Sequence, residues 1–105
     1  MAEPNLRVTR HIAVDHPAFA GHFPGQPLLP GVLLLAEVLE AALAVPALAA
    51  RLGPQPTLGA AKFLAPVGPG STLVITLDDT PRGVRFGVHR GDVLAASGLL
   101  QPCGR

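Results

Sequence analysis

His22 stands inside a segment crowded with glycine and proline, Gly21-His22-Phe23-Pro24-Gly25-Gln26-Pro27-Leu28-Leu29-Pro30-Gly31. A histidine titrates near neutrality, so it can take up or release a proton under ordinary conditions. Two carboxylates follow on a greasy stretch, Glu37 and Glu40. They can serve as acid or base, or form the solvated stripe of an otherwise apolar helix. Between histidine and carboxylates lies Gly31, where a helix is expected to begin. A backbone N–H at a helix N-terminus points outward with positive dipole and can hold developing negative charge. The same glycine also reads as a plain helix-entry residue. Base, acid and oxyanion donor are the parts of proton-transfer chemistry next to a carbonyl. The remaining histidines, His11, His16 and His89, are scattered, with no carboxylate or cysteine at ligand spacing. They read as surface or strand residues, and no metal site is expected. Cys103, the single cysteine, excludes an internal disulfide and reads as a tail thiol.

Elements of known periodicity must position these groups. Leu6, Val8, Ile12 and Val14 alternate with other residues, which predicts a strand over Leu6–Val14. Asp15-His16-Pro17 ends it, since proline cannot donate to a ladder. Residues 19–31 suit no regular element. They are expected to form an ordered loop, because Phe19, Phe23, Leu28 and Leu29 need burial. Val32 to about Val45 predicts a helix that is apolar almost all round, and so buried. Pro46 ends it or begins a second short turn running to Arg51. Thr57–Leu64, Thr72–Asp79, Gly83–His89 and Val93–Leu100 are strand-length, separated by Pro66–Gly70, Thr80-Pro81 and Arg90-Gly91-Asp92. The last of these matches an adhesion tripeptide by letters but reads as a hairpin turn. One hydrophobic helix and one antiparallel sheet of about five strands make an α+β domain, with the sheet wrapped around the helix.

Composition narrows the function. The chain has 105 residues, enough for one domain, 1–105. Only 14% are charged, 49% are hydrophobic, and the mean hydropathy is +0.42. That excludes disorder and leaves more apolar surface than one small core can hide, so a second chain is expected to cover part of it. A dimer with sheets joined edge to edge, about ten strands in all, would remove an exposed edge. Eight basic against seven acidic residues, with no Trp, no Tyr and four Phe, offer neither a basic field nor a stacking platform for nucleic acid. The polar start Met1–Asn5 is unlike a signal peptide, and the charge-free run Pro27–Ala36 is too short to span a bilayer. A cytoplasmic protein that engages no membrane is expected.

The segment Gly21–Leu33 resembles the signature loop of the hotdog-fold 3-hydroxyacyl-[acyl carrier protein] dehydratases, in the spaced form GHFPG-x-P-x-x-PGVL. Lys62-Phe63-Leu64-Ala65-Pro66-Val67-Gly68-Pro69-Gly70-Ser71-Thr72-Leu73 resembles that family's second conserved stretch, and Val84–Phe86 with Val93–Gly98 are similar to its last strands. The chain is shorter than a typical member at the N-terminus and after the helix. The resemblance implies a hotdog fold and the removal of water from a 3-hydroxyacyl thioester, carried on acyl carrier protein or coenzyme A, to give a trans-2-enoyl thioester. It implies no cofactor. It makes His22 the base and the N–H of Gly31 the donor to the thioester oxygen, with Phe23, Pro30 and Val32 lining the substrate's seat. It implies a homodimer or a pairing with another hotdog subunit, base and acid coming from different subunits.

One departure stands out. The family's acid lies fourteen residues after its motif histidine, and here that position is Ala36. At about 100° per residue, Glu37 lies about 100° round the helix from position 36, whereas Glu40 lies only about 40° round and about 6 Å along. The family commonly has a glutamine where Glu40 stands. Glu40 is therefore the better candidate for the missing acid, in an apolar setting. Two other readings follow from the same residues. One is a degenerate subunit that binds an acyl thioester or supports an active partner. The other is an acyl thioesterase, which the HFPG loop disfavours.

Overall fold

Alternation of apolar and polar residues gives the first element its form. A computed structural model describes residues 6–15, 29 and 31–102. Within it, Leu6–His11 forms β1, which pairs antiparallel with β3, Thr72–Thr80. The strand stops at His11 rather than at Val14, because its partner ends. His11 faces Thr72, the first residue of β3, and beyond it the chain has no strand to pair with. The buried Ile12 is still held, its N–H donating to the Ser71 carbonyl and its own carbonyl accepting from Gly70. Val14, expected inside a strand, is 72% exposed.

β4, Gly83–Arg90, and β5, Val93–Gln101, continue from β3 as a meander with tight turns, and Gly91 takes the positive φ of 61° that its turn requires. β2, Thr57–Phe63, pairs antiparallel with β5 at the far edge. The strand order is β1-β3-β4-β5-β2. This is the five-stranded antiparallel hotdog sheet that the sequence predicts, with each strand within a few residues of its expected bounds. One face of it carries the core in cross-strand rows, Ile75–Val88–Ala96 and Leu77–Phe86–Gly98. Gly98 is required in the second row. A Cβ there would strike both the Ala60 carbonyl and the Phe86 ring.

Against that face lies α1, Gly31–Leu43. It buries Leu34, Val38, Ala41 and Ala42, a single stripe at helical spacing. Within the single chain the burial of this helix is one-sided. Five strands from one chain cover one side, and Val32, Leu33, Ala36, Glu40 and Leu43 on the other side remain exposed. Pro46 then begins α2, Pro46–Leu52, at a bend of 112° from α1. Proline suits the first helical turn and cannot continue a preceding helix, which accounts for the break. α2 buries Leu48 and Leu52, and Arg51 ties it to the β3–β4 turn through Asp79 and the carbonyls of Thr80 and Pro81. Among the described residues no single helix is long and apolar enough to cross a membrane.

Replacing Gly98 by Ala should destabilise the fold by about 1–3 kcal/mol, because Phe86 and the β2 backbone must both shift. Urea unfolding followed by circular dichroism would show a lower midpoint with an unchanged slope.

Candidate active site

The two motif segments meet in space. Leu29, at the end of the first, is buried, and its N–H donates to the Val67 carbonyl of the second at 2.7 Å. Two residues on, Gly31 opens α1 directly against the ring of Phe63, the last residue of β2. The turn after β2 is itself held: Ser71 donates from its hydroxyl to the Gly68 carbonyl, and Ile12 bonds to both Gly70 and Ser71. Sequence segments more than thirty residues apart thus build one corner of the molecule at the N-terminus of α1.

His22, Phe23 and Pro30 lie outside the described residues, as does the loop expected over residues 19–31 except for Leu29 and Gly31. The described candidates are Gly31, Val32, Glu37 and Glu40. Gly31 is half-buried at the first position of α1, as expected. Its lack of a side chain has a reason beyond close approach of a ligand. A Cβ at Gly31 would lie 2.9 Å from Phe63 Cζ and 3.0 Å from Cε1.

Val32 and Ala36 line an apolar cleft of about 230 Å³ between α1 and the β2–β5 edge, with Leu35, Leu39, Leu58 and Leu100. The position of the absent family acid therefore faces an apolar wall. Glu40 does share the exposed side of α1 with Ala36, while Glu37 is half-buried. Its surroundings differ from the expectation. Within this chain Glu40 is not enclosed by apolar groups: its side chain is 69% exposed, and Oε1 stands 3.6 Å from Arg10 Nη1 on β1. The cause is the pairing of β1 along β3, which puts Arg10 on the same side of the sheet as α1. Nothing in the local sequence of either element signals that contact.

His11 and His89 are strand residues, as expected, and His11 Nδ1 lies 3.2 Å from Thr72 Oγ1. Among the described residues no group of histidine, cysteine and carboxylate side chains could hold a metal ion. Phe63 was legible in the second motif only as a letter. The signal that would have singled it out is the glycine at a helix start, which marks close approach by something bulky.

A family model of ApeI dehydratases matches residues 2–99. The chain belongs to the ApeI-like dehydratase family. Curated relatives agree. It is 31% identical to a 3-hydroxyacyl-[acyl-carrier-protein] dehydratase FabZ of Wolbachia pipientis, over 95% of this chain and 71% of the relative. It is 35% identical to the FabZ of Chloroflexus aggregans, over 87% of this chain and 69% of that protein. Among solved structures it resembles the dehydratase heterocomplex ApeI:P of Xenorhabdus doucetiae, with a TM-score of 0.77, 27% identity, and coverage of 98% of this chain and 90% of that one. The fluoroacetyl-CoA-specific thioesterase FlK, with a TM-score of 0.64 and 18% identity, shares the fold. The hotdog architecture and dehydratase kinship read from the two motifs are thus shown for this ApeI-like chain.

In the Arg10–Glu40 pair the carboxylate is exposed and the arginine half-buried, and at 3.6 Å the pair should contribute little to stability. A double-mutant cycle with Arg10→Ala and Glu40→Ala, read by chemical denaturation, should give a coupling below about 1 kcal/mol. A larger value would mean that the pair is covered in the assembled protein.

Proposed function

We propose that this chain dehydrates 3-hydroxyacyl thioesters to trans-2-enoyl thioesters, on acyl carrier protein or coenzyme A, in fatty-acid or polyketide-type biosynthesis. The observation that carries the reading is Gly31 at the N-terminus of α1, with an apolar cleft beginning at the next residue, in a chain of the ApeI-like dehydratase family. The thioester oxygen would accept from the Gly31 N–H, where the helix dipole favours the negative charge that builds as the α-proton leaves. His22 takes that proton. A carboxylic acid gives a proton to the β-hydroxyl, the C–O bond breaks, and water departs as the double bond forms. Glu40 is the candidate acid on the Ala36 side of α1, and Glu37 is the alternative one residue round. Phe23, Pro30 and Val32 would line the seat.

The exposed apolar groups favour a two-chain assembly. Leu58, Phe63 and Leu64 on the β2 edge are 46%, 53% and 55% exposed, and Val32 and Leu33 of α1 lie uncovered beside them. A second hotdog chain pairing along β2 would continue the sheet and cover α1. A copy of this chain is the first reading. A different hotdog subunit is the second, and Ala36 favours it, since a chain without the family's acid can borrow one from, or merely support, an active partner. The likeness to a dehydratase heterocomplex supports the second reading.

Assay with a 3-hydroxydecanoyl or crotonyl thioester separates the readings. Dehydration or hydration supports the enzyme, release of free thiol a thioesterase, and silence the degenerate subunit. In an active protein His22→Ala should lower turnover by about a hundredfold or more while leaving the fold intact. Glu40→Gln should abolish dehydration and Glu37→Gln should leave most of it. The reverse would put the other carboxylate in the site. If the parent is silent, Ala36→Glu restores the family's acid at its spacing from His22, and gain of dehydration would identify the missing part. Light scattering at micromolar concentration should give twice the chain mass, and a monomer would count against pairing of two copies.

A further inference from the structure

The half-exposed ring of Phe63 is held in an unusual place. Its strand is fixed on β5, because Phe63 pairs with Ala96 and the N–H of Leu64 donates to the Ala95 carbonyl at 2.8 Å. The chain entering α1 is fixed as well, through the Leu29–Val67 bond. Between these two anchors the tip of the ring fills the space beside Gly31, to within 2.9–3.3 Å of where a Cβ would stand. On the same side of β2 lies Leu58, which lines the apolar cleft further along α1. The space beside α1 is therefore open from Val32 towards Leu39 and blocked at Gly31.

Resting on the reading of Gly31 as the donor to the thioester oxygen, we propose that Phe63 is a specificity-determining residue. Its ring takes up the room that a branch on the carbon next to the thioester carbonyl would need. An oxygen held by the Gly31 N–H puts that carbon one bond beyond the carbonyl, beside Gly31 and so beside the ring. The site then takes straight-chain 3-hydroxyacyl thioesters and turns away 2-methyl-branched ones. The branched substrate keeps one α-proton, so the chemistry is the same and discrimination is steric. One methyl group in a tight apolar site changes selectivity by about 10- to 200-fold.

The test compares kcat/KM for a 3-hydroxyacyl N-acetylcysteamine thioester and for both epimers of its 2-methyl analogue, on the full chain in its native assembly. The wild type should favour the unbranched substrate. Phe63→Ala should move the ratio at least about tenfold toward the branched one, with Phe63→Leu between. A ratio of rates on one preparation is independent of the folded fraction. A shift below about tenfold in Phe63→Ala, with the wild type active, overturns this inference alone. Loss of both activities in both variants also overturns it, since the ring would then serve every substrate. A wild type that dehydrates neither thioester overturns the functional reading and this inference with it.

Discussion

Leu34, Val38, Ala41 and Ala42 lie along one stripe of α1, and their burial on the sheet sets the rotation of that helix. Two of the four are alanines with no exposed area, so the backbone comes close to the strands and has little freedom to turn. Everything of chemical interest hangs on that setting. It points Ala36 and Glu40 away from the core, puts Val32 and Ala36 on the cleft, and brings Gly31 against Phe63. A rotation of α1 by one residue would exchange Glu37 for Ala36 on the cleft and bury a carboxylate there.

The same packing explains why the surface is so apolar. A helix over an open five-stranded sheet has two sides, and this chain supplies a cover for one. The uncovered side of α1 and the β2 edge carry Val32, Leu33, Leu58, Phe63 and Leu64, all at least a third exposed. The high mean hydropathy seen at the level of composition thus corresponds in part to this side of the helix and this edge, with Leu6, Val14, Val93 and Leu94 exposed elsewhere. The cleft beside α1 opens on that same side of the helix.

The Arg10–Glu40 pair changes how the acid question is posed. A carboxylate that is exposed and near a guanidinium in the single chain becomes a candidate acid only if assembly alters its neighbours. Glu37 is more covered within the chain itself. The two glutamates therefore differ in how far the single chain covers them.

Much was legible without coordinates. Alternation named the first strand, and strand-length segments between proline- and glycine-bearing breaks named the other four, because both signals are local to the backbone. The run of Leu and Ala with Pro46 after it named α1 and its end, because proline acts on the backbone beside it. The two motifs named the family, and helical geometry alone put Glu40 rather than Glu37 on the side of Ala36. What the tertiary structure decided was which residues from distant segments touch. That Arg10 reaches Glu40, that β1 ends at His11 because β3 begins at Thr72, and that one face of an apolar helix stays bare all follow from strand order and register. So does the contact of Phe63 with Gly31. These are set by the packing of elements against one another, and a one-dimensional pattern carries the periodicity of each element but not its neighbours.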